Sequence, residues 1–187
     1  MKSLDSYIVH LPNFVTPHFC ESIIREFDGD AAWHRATVAV EAAEQARKCD
    51  VLPISAPQVI GVNPNRQLID SKLFDIFGGI GRGYLSTNDS CGYANDSGYD
   101  LLRYTAGGGY DFHVDSGFGG EDLRVLSMIL NLSSMDDYFG GSLEFEEGPI
   151  FTLDQGDVVI FPSNFCFPHR ITPITDGIRY SIVTWFL

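Results

Sequence analysis

At 187 residues, with 44% hydrophobic and 20% charged positions, the chain has the composition of a soluble, globular single domain spanning residues 1–187. Its net charge of −13 opposes a nucleic-acid or anionic-membrane partner, because both need clustered lysine and arginine. No apolar run reaches bilayer length, Asp5 interrupts any secretion-signal core, and the four cysteines form no C-x-x-C pair, so a reduced, cytoplasmic protein, monomeric by default, is expected.

In chain order, residues 7–14 predict an opening strand, with Ile8 and Val9 ahead of Pro12. Thr16-Pro17 reads as an N-cap followed by a first-turn proline, and Phe19, Ile23, Ile24 and Phe27 then recur on one helical face. Residues 36–47 are alanine-rich and fit a helix, although Val38 and Val40 leave a strand open. Residues 49–62, with Pro53 and Pro57, read as an extended segment or loop. Asn63-Pro64 marks another helix start. Leu68, Ile69, Leu73, Phe77, Ile80 and Tyr84 keep helical spacing, while glycines at 78, 79, 81 and 83 weaken the second half. Residues 86–98 are polar and read as a solvated loop or a lid.

From residue 99 the character changes. Short apolar runs at 99–105, 110–115, 124–132, 142–146, 150–153, 157–162, 169–174 and 178–186 alternate with turn signals. That spacing predicts a mainly β (α+β) fold, a sandwich or jelly roll of short strands with the N-terminal helices packed on one side.

Two imidazoles and one carboxylate can occupy one face of a metal ion and leave its other positions open, the ligand set of non-heme Fe(II) oxygenases. His113 and Asp115 are two apart, so on a strand they share a face; His169 must return from another strand. Ten residues further, Arg179 offers a fork of donors suited to a carboxylate. The last strand alternates: Arg179, Ser181, Val183 and Trp185 take one face, Tyr180, Ile182, Thr184 and Phe186 the other. A charge on a face shared with Val183 and Trp185 needs a partner. A bound carboxylate would be one, with Ser181 adding a hydrogen bond and Tyr104 and Asn131 as further donors. Cys166-x-x-His169 finds no second half for a zinc site, and the chain has neither G-K-[ST] nor G-x-G-x-x-G for phosphates. His10, His18 and His34 read as surface or partly buried positions without function, and the pairs Asp136-Asp137 and Glu146-Glu147 as solvated turns rather than acid/base pairs.

The segments LLRYTAGGGYDFHVDSG, RVLSMILNLSSMDDYFGGSLEF and DQGDVVIFPSNFCFPHRITPITDGIRYSIVTWF resemble the 2-oxoglutarate- and Fe(II)-dependent oxygenases, in their prolyl 4-hydroxylase-like branch. The second and third are similar to bacterial PKHD-type hydroxylases. The resemblance covers about residues 99–187 and implies a double-stranded β-helix. It implies iron on His113, Asp115 and His169, and 2-oxoglutarate chelating that iron with its far carboxylate on Arg179. It matches Tyr104, Asn131 and Ser181 to positions that help hold the cosubstrate, and Trp185 to a pocket wall. It implies O2 as co-reactant, succinate and CO2 as products, ascorbate as an accessory reductant, and hydroxylation of an unactivated C–H bond, first of all in a prolyl residue. Arg179 departs from collagen-type relatives, which carry lysine there. Trp185 stands where nucleic-acid demethylases carry a second arginine.

A small-molecule or free amino acid hydroxylase on the same scaffold is the second reading, and a jelly-roll binding module without turnover the third. For the leading one, the net charge favours a neutral or basic peptide, gripped by loops from residues 47–62 and 86–98.

Overall fold

The computed structural model describes residues 3–36, 46–88, 92–93, 95–116 and 123–187. The chain opens with a 3-10 turn, Leu4–Tyr7, and a short strand β1 (Val9–Leu11). Helix α1 (Pro17–Phe27) follows, burying Cys20, Ile23 and Phe27. Thr16 occupies its N-cap position, but its side chain makes no capping bond; its carbonyl accepts from the Phe19 and Cys20 amides. Residues 37–45, and with them Val38 and Val40, lie outside the described residues.

The stretch at 47–62, of which 49–62 was expected to be an extended segment or loop, is extended in part and helical in part. It holds β3 (Arg47–Lys48), β4 (Asp50–Pro53) and a one-turn helix α2 (Pro57–Ile60), preceded at His34–Arg35 by β2. Val51 and Leu52 are buried, so the prolines bound a sheet strand rather than keep the segment extended and free. Helix α3 runs unbroken from Pro64 to Thr87. Asn63 caps it, its side chain accepting from the Asn65 and Arg66 amides, and Ile69, Leu73, Phe77, Ile80 and Tyr84 are buried as the spacing predicts, whereas Leu68 is exposed. The glycines have a packing reason at one point: a Cβ on Gly81 would meet the Tyr93 hydroxyl at 2.5 Å. Arg66 stitches the helices together, reaching Glu26 at 3.0 Å, Asp30 at 2.6 Å and the Val59 carbonyl at 2.8 Å. No helix among the described residues is long and apolar enough to cross a membrane.

The remaining strands are β5 (Asp100–Tyr104), β6 (Gly109–His113), β7 (Leu126–Asn131), β8 (Tyr138–Gly140), β9 (Leu143–Phe145), β10 (Ile150–Phe151), β11 (Val158–Pro162), β12 (His169–Ile171), β13 (Ile174–Gly177) and β14 (Arg179–Phe186). The run expected at 169–174 is split, because Pro173 cannot donate to a ladder and the chain changes sheets there. Every pairing is antiparallel. The large sheet has the order β1-β11-β7-β14-β5-β4-β2, the small one β10-β9-β12-β6-β3, and β13 and β8 form a separate ribbon. The two main sheets face each other as a jelly roll. The N-terminal half therefore supplies edge strands to both, which the sequence pattern did not reveal.

Two cores result. One lies between the large sheet and the helices, with Leu101, Met128, Leu130, Ile160 and Ile182 against Ile23, Leu73 and Phe77. Burying each such side chain contributes roughly 1.5–3 kcal/mol. The second lies between the sheets, with Leu102, Ile129, Phe161 and Val183 facing Leu143, Phe145 and Ile171.

Candidate metal centre

At one end of the inter-sheet core, β12 and β6 pair so that His169 stands directly opposite His113. The next pair is Ile171 with Tyr110: two steps along β12 match three along β6. One extra residue in β6 is a β-bulge, and it turns Tyr110 to the same face as His113. The rings of Tyr110 and His113 stack with centroids 3.5 Å apart and planes 16° apart. Strand β6 ends at His113, so Asp115 does not share a strand face with it as its spacing suggested. Asp115 lies in the bend that follows, where the Ser116 amide donates to the Ser163 carbonyl and Arg124 donates to the Asp115 carbonyl at 3.3 Å.

The three side chains nevertheless converge. His113 Nε2 is 3.5 Å from Asp115 Oδ1, and His169 Nε2 is 3.7 Å from Asp115 Oδ2. Among the described residues this is the one cluster of histidine, cysteine or acidic groups whose donor atoms, all within 4.8 Å of one another, could hold a metal ion. Both rings are oriented from behind: His113 Nδ1 lies 2.9 Å from the Asp111 carbonyl and His169 Nδ1 3.1 Å from the Phe167 carbonyl. A carbonyl only accepts, so each Nδ1 carries the proton and each Nε2 offers a lone pair to the cluster. Burial lowers the His169 pKa to about 4, with Asp115 acting against it, so the ring is neutral at physiological pH. Burial alone would raise the Asp115 carboxyl. His169, His113 and the Ser127 hydroxyl outweigh it and hold the group below the usual carboxylate range. Ser127 donates to Asp115 Oδ2 at 2.5 Å; having one proton, it must accept from Ser163, whose hydroxyl is 2.8 Å away. Oδ2 is thereby engaged and Oδ1 is left to a metal. One ligand atom from each of three side chains leaves half of an octahedron open.

Arg179 opens β14, fully buried, opposite Tyr104 on β5. Its Nε donates to Asn131 Oδ1 at 3.0 Å, and its guanidinium carbon lies 5.7 Å from the centre of the Tyr104 ring. Gly141, with φ +67°, lets the main chain pass close by: a Cβ there would lie 3.1 Å from Arg179 Cδ. Both Nη atoms are buried without a hydrogen-bond partner. A buried cation with two empty donors is costly unless an anion completes it, so these residues fit a carboxylate. Asn131 takes a different part from the donor expected of it. Its amide nitrogen is committed to the carbonyls of Ser133, Leu153 and Asp154 at 2.8, 3.1 and 3.2 Å, so it orients Arg179 and has no donor left over. Ser181 is buried on the same face, opposite Asn131 and Leu102. Trp185 lies at the pocket wall with the Arg124 guanidinium 3.9 Å above its ring.

Five residues of this region had no part in the sequence reading: Arg47, Tyr110, Arg124, Ser127 and Ser163. Ser127 left a signal, being a lone hydroxyl in the apolar run LSMILN at the same parity as Asn131. Arg47 left none, since its strand is two residues long and at the edge of the small sheet.

A jelly roll with two histidines and a carboxylate converging between its sheets, and a fully buried arginine on the inward face of the large sheet, defines a class. Residues 99–187, just under half of the chain, match the model of the 2OG-Fe(II) oxygenase superfamily. The chain is similar to PKHD-type hydroxylases: one from Rippkaea orientalis is 42% identical over 89 residues, covering 44% of this chain and 39% of that protein. The aligned part thus spans well under half the length of such a relative. Among solved structures, a Pseudomonas putida prolyl-4-hydroxylase superposes with a TM-score of 0.70 at 19% identity, over 96% of this chain and 91% of the other. A Trichoplax adhaerens prolyl hydroxylase, in complex with a hypoxia inducible factor oxygen degradation domain peptide fragment, gives 0.72 at 16% identity, over 97% and 83%. At such identities the likeness is one of fold.

Proposed function

We propose that the chain is a 2-oxoglutarate- and Fe(II)-dependent dioxygenase that hydroxylates an unactivated C–H bond, with a prolyl residue in a peptide or protein as the first candidate. The observation that carries this reading is Arg179: a fully buried guanidinium, aligned by Asn131, with both Nη atoms unpaired in the same inter-sheet core as the His-Asp-His cluster. His113, Asp115 and His169 would hold Fe(II), and Arg179 would take the distal carboxylate of 2-oxoglutarate in a bidentate, charge-assisted contact. The bound pair supplies activation of O2 coupled to decarboxylation of the oxo acid to succinate and CO2.

The chain's own residues do the rest. The Asp111 and Phe167 carbonyls fix both imidazole tautomers. Ser127 and Ser163 hold the Asp115 carboxylate in its charged form and in one orientation. Tyr110 covers one side of His113, and Phe145 and Phe161 pack about His169, with ring centroids 5.7 and 4.7 Å from it. These rings keep water from that side of the cluster, where each electrostatic contact is stronger for the low dielectric.

The test is direct. Purified protein with Fe(II), 2-oxoglutarate and O2 should form succinate, and a proline-containing peptide should gain the mass of one oxygen atom. Absence of succinate with metal demonstrably bound would reject the reading in favour of a binding module. Succinate without peptide oxidation would favour a small-molecule substrate.

A further inference from the structure

The pocket over the metal cluster contains a cation that neither the metal nor the cosubstrate uses. Arg47, on β3, pairs with Tyr110 on β6 and lines the cavity together with Tyr104, Tyr110, His113 and Asp115. Its guanidinium carbon lies 5.1 Å from the centre of the Tyr110 ring, the same ring that stacks on His113. Arg47 is therefore one aromatic ring away from a proposed iron ligand, on the sheet opposite to Arg179.

Among the described residues no acidic group pairs with Arg47. The Nε atom is buried with no hydrogen-bond partner. Arg35, Arg66, Arg103 and Arg170, by contrast, each reach Asp or Glu within 4 Å. The groups acting on it most strongly are Tyr104, Cys49 and Tyr110. All three are neutral at pH 7, because burial pushes the thiol and both phenols up. Asp100 feels Arg47, Arg124 and His34 at longer range, but burial outweighs them and raises its carboxyl. The one carboxylate lining the pocket, Asp115, is engaged by Ser127, His113 and His169, so this guanidinium is completed by an anion from outside.

The cosubstrate is not that anion. 2-Oxoglutarate has two carboxylates, and on the reading above one lies at the metal and the other on Arg179. Resting on that reading, we infer that Arg47 is a specificity-determining residue: the substrate presents a carboxylate to it while the reacting C–H bond lies over the metal. The substrate class is then a carboxylate-bearing molecule, such as a free or N-acylated amino acid or a chain end, rather than a basic or neutral peptide interior. A single guanidinium supplies one charge, which suits a carboxylate better than a phosphate dianion. The net charge of −13, which on its own favours cations, acts at long range and is screened, whereas Arg47 acts at contact.

The experiment uses Mn(II), a paramagnetic probe metal, on the full chain with 2-oxoglutarate bound. The ligands are N-acetyl-proline, N-acetyl-leucine and N-acetyl-lysine, each as free acid and as neutral primary amide, with proton relaxation of the acetyl methyl as readout. At least one acid should bind roughly ten- to hundredfold more tightly than its own amide, the scale of one hydrogen bond to a charged group. Arg47→Gln should bring that ratio close to one, and Arg47→Lys should retain part of it by keeping the charge. Equal binding of every acid and its amide, an unchanged ratio in Arg47→Gln, or no binding of any acid would overturn the inference. Failure of the reading beneath it is seen separately, as no relaxation of 2-oxoglutarate protons by Mn(II) in the wild-type protein.

Discussion

The large sheet has two faces built from the same strands, and they differ in kind. Toward the helices, β7 presents Leu126, Met128 and Leu130 and β14 presents Tyr180, Ile182 and Phe186. Toward the small sheet, Ile129 and Val183 share the face with four polar residues, Ser127 and Asn131 on β7 and Arg179 and Ser181 on β14, all four buried to within 1% exposure. The first face holds the fold by area removed from water. The second gives up part of its apolar contact for buried hydrogen bonds, Ser127 to Asp115 and Arg179 to Asn131. Polar residues buried in phase on neighbouring strands thus mark the working side of a sheet.

Mutations on the two faces should separate stability from ligand binding. The largest effect is expected on the helix side. Phe77→Ala opens a cavity in a fully buried position and should cost about 3–5 kcal/mol in urea unfolding, with the metal affinity of the folded protein unchanged. On the other face Arg179→Met should behave oppositely. Binding of 2-oxoglutarate to the metal-loaded protein, followed by calorimetry, should weaken by roughly 2–5 kcal/mol, while the unfolding midpoint holds or rises because a buried unpaired charge has gone. Ser127→Ala removes the hydroxyl that orients Asp115 and should lower metal affinity about 10–100-fold in a chelator competition. Thr184 is the exception on the helix-facing parity, with a buried hydroxyl that has no partner. Thr184→Val should therefore stabilise by about 1 kcal/mol. Smallest of all, Thr16→Ala should stay within about 0.5 kcal/mol, since that side chain makes no capping bond.

The same contrast explains what could be read from the sequence. Helix α3 was legible because Asn63-Pro64 starts it and five of its six apolar positions are buried in phase. Most strands after residue 99 were legible because each is a short apolar run between turn residues. His113, Asp115, His169 and Arg179 stood out by residue type and spacing, and their grouping in space follows from the pairing of β12 with β6 and of β14 with β5 and β7. What stayed hidden depends on long-range register. Two-residue strands such as β2 and β3 have no periodicity to detect, so residues 47–62 read as loop and Arg47 went unnoticed. Asn131 was visible as a polar residue in a strand, but only the three carbonyls around its amide reveal that it steers Arg179 rather than a ligand. The bulge in β6 is a mismatch between two strands, which neither strand records alone.

That bulge has a bearing on how this chain can change. A point substitution alters a side chain but leaves the count of residues between Tyr110 and His113 as it is. Paired as a regular strand, without the bulge, these three steps would send Tyr110 and His113 to opposite faces. The histidine would lose its stacking partner, or the phenol and the arginine behind it would leave the pocket. The odd spacing and the bulge are therefore a matched pair: a deletion keeps both rings on one face only if the bulge goes with the residue, and a loop grafted from a relative must bring its own register with it.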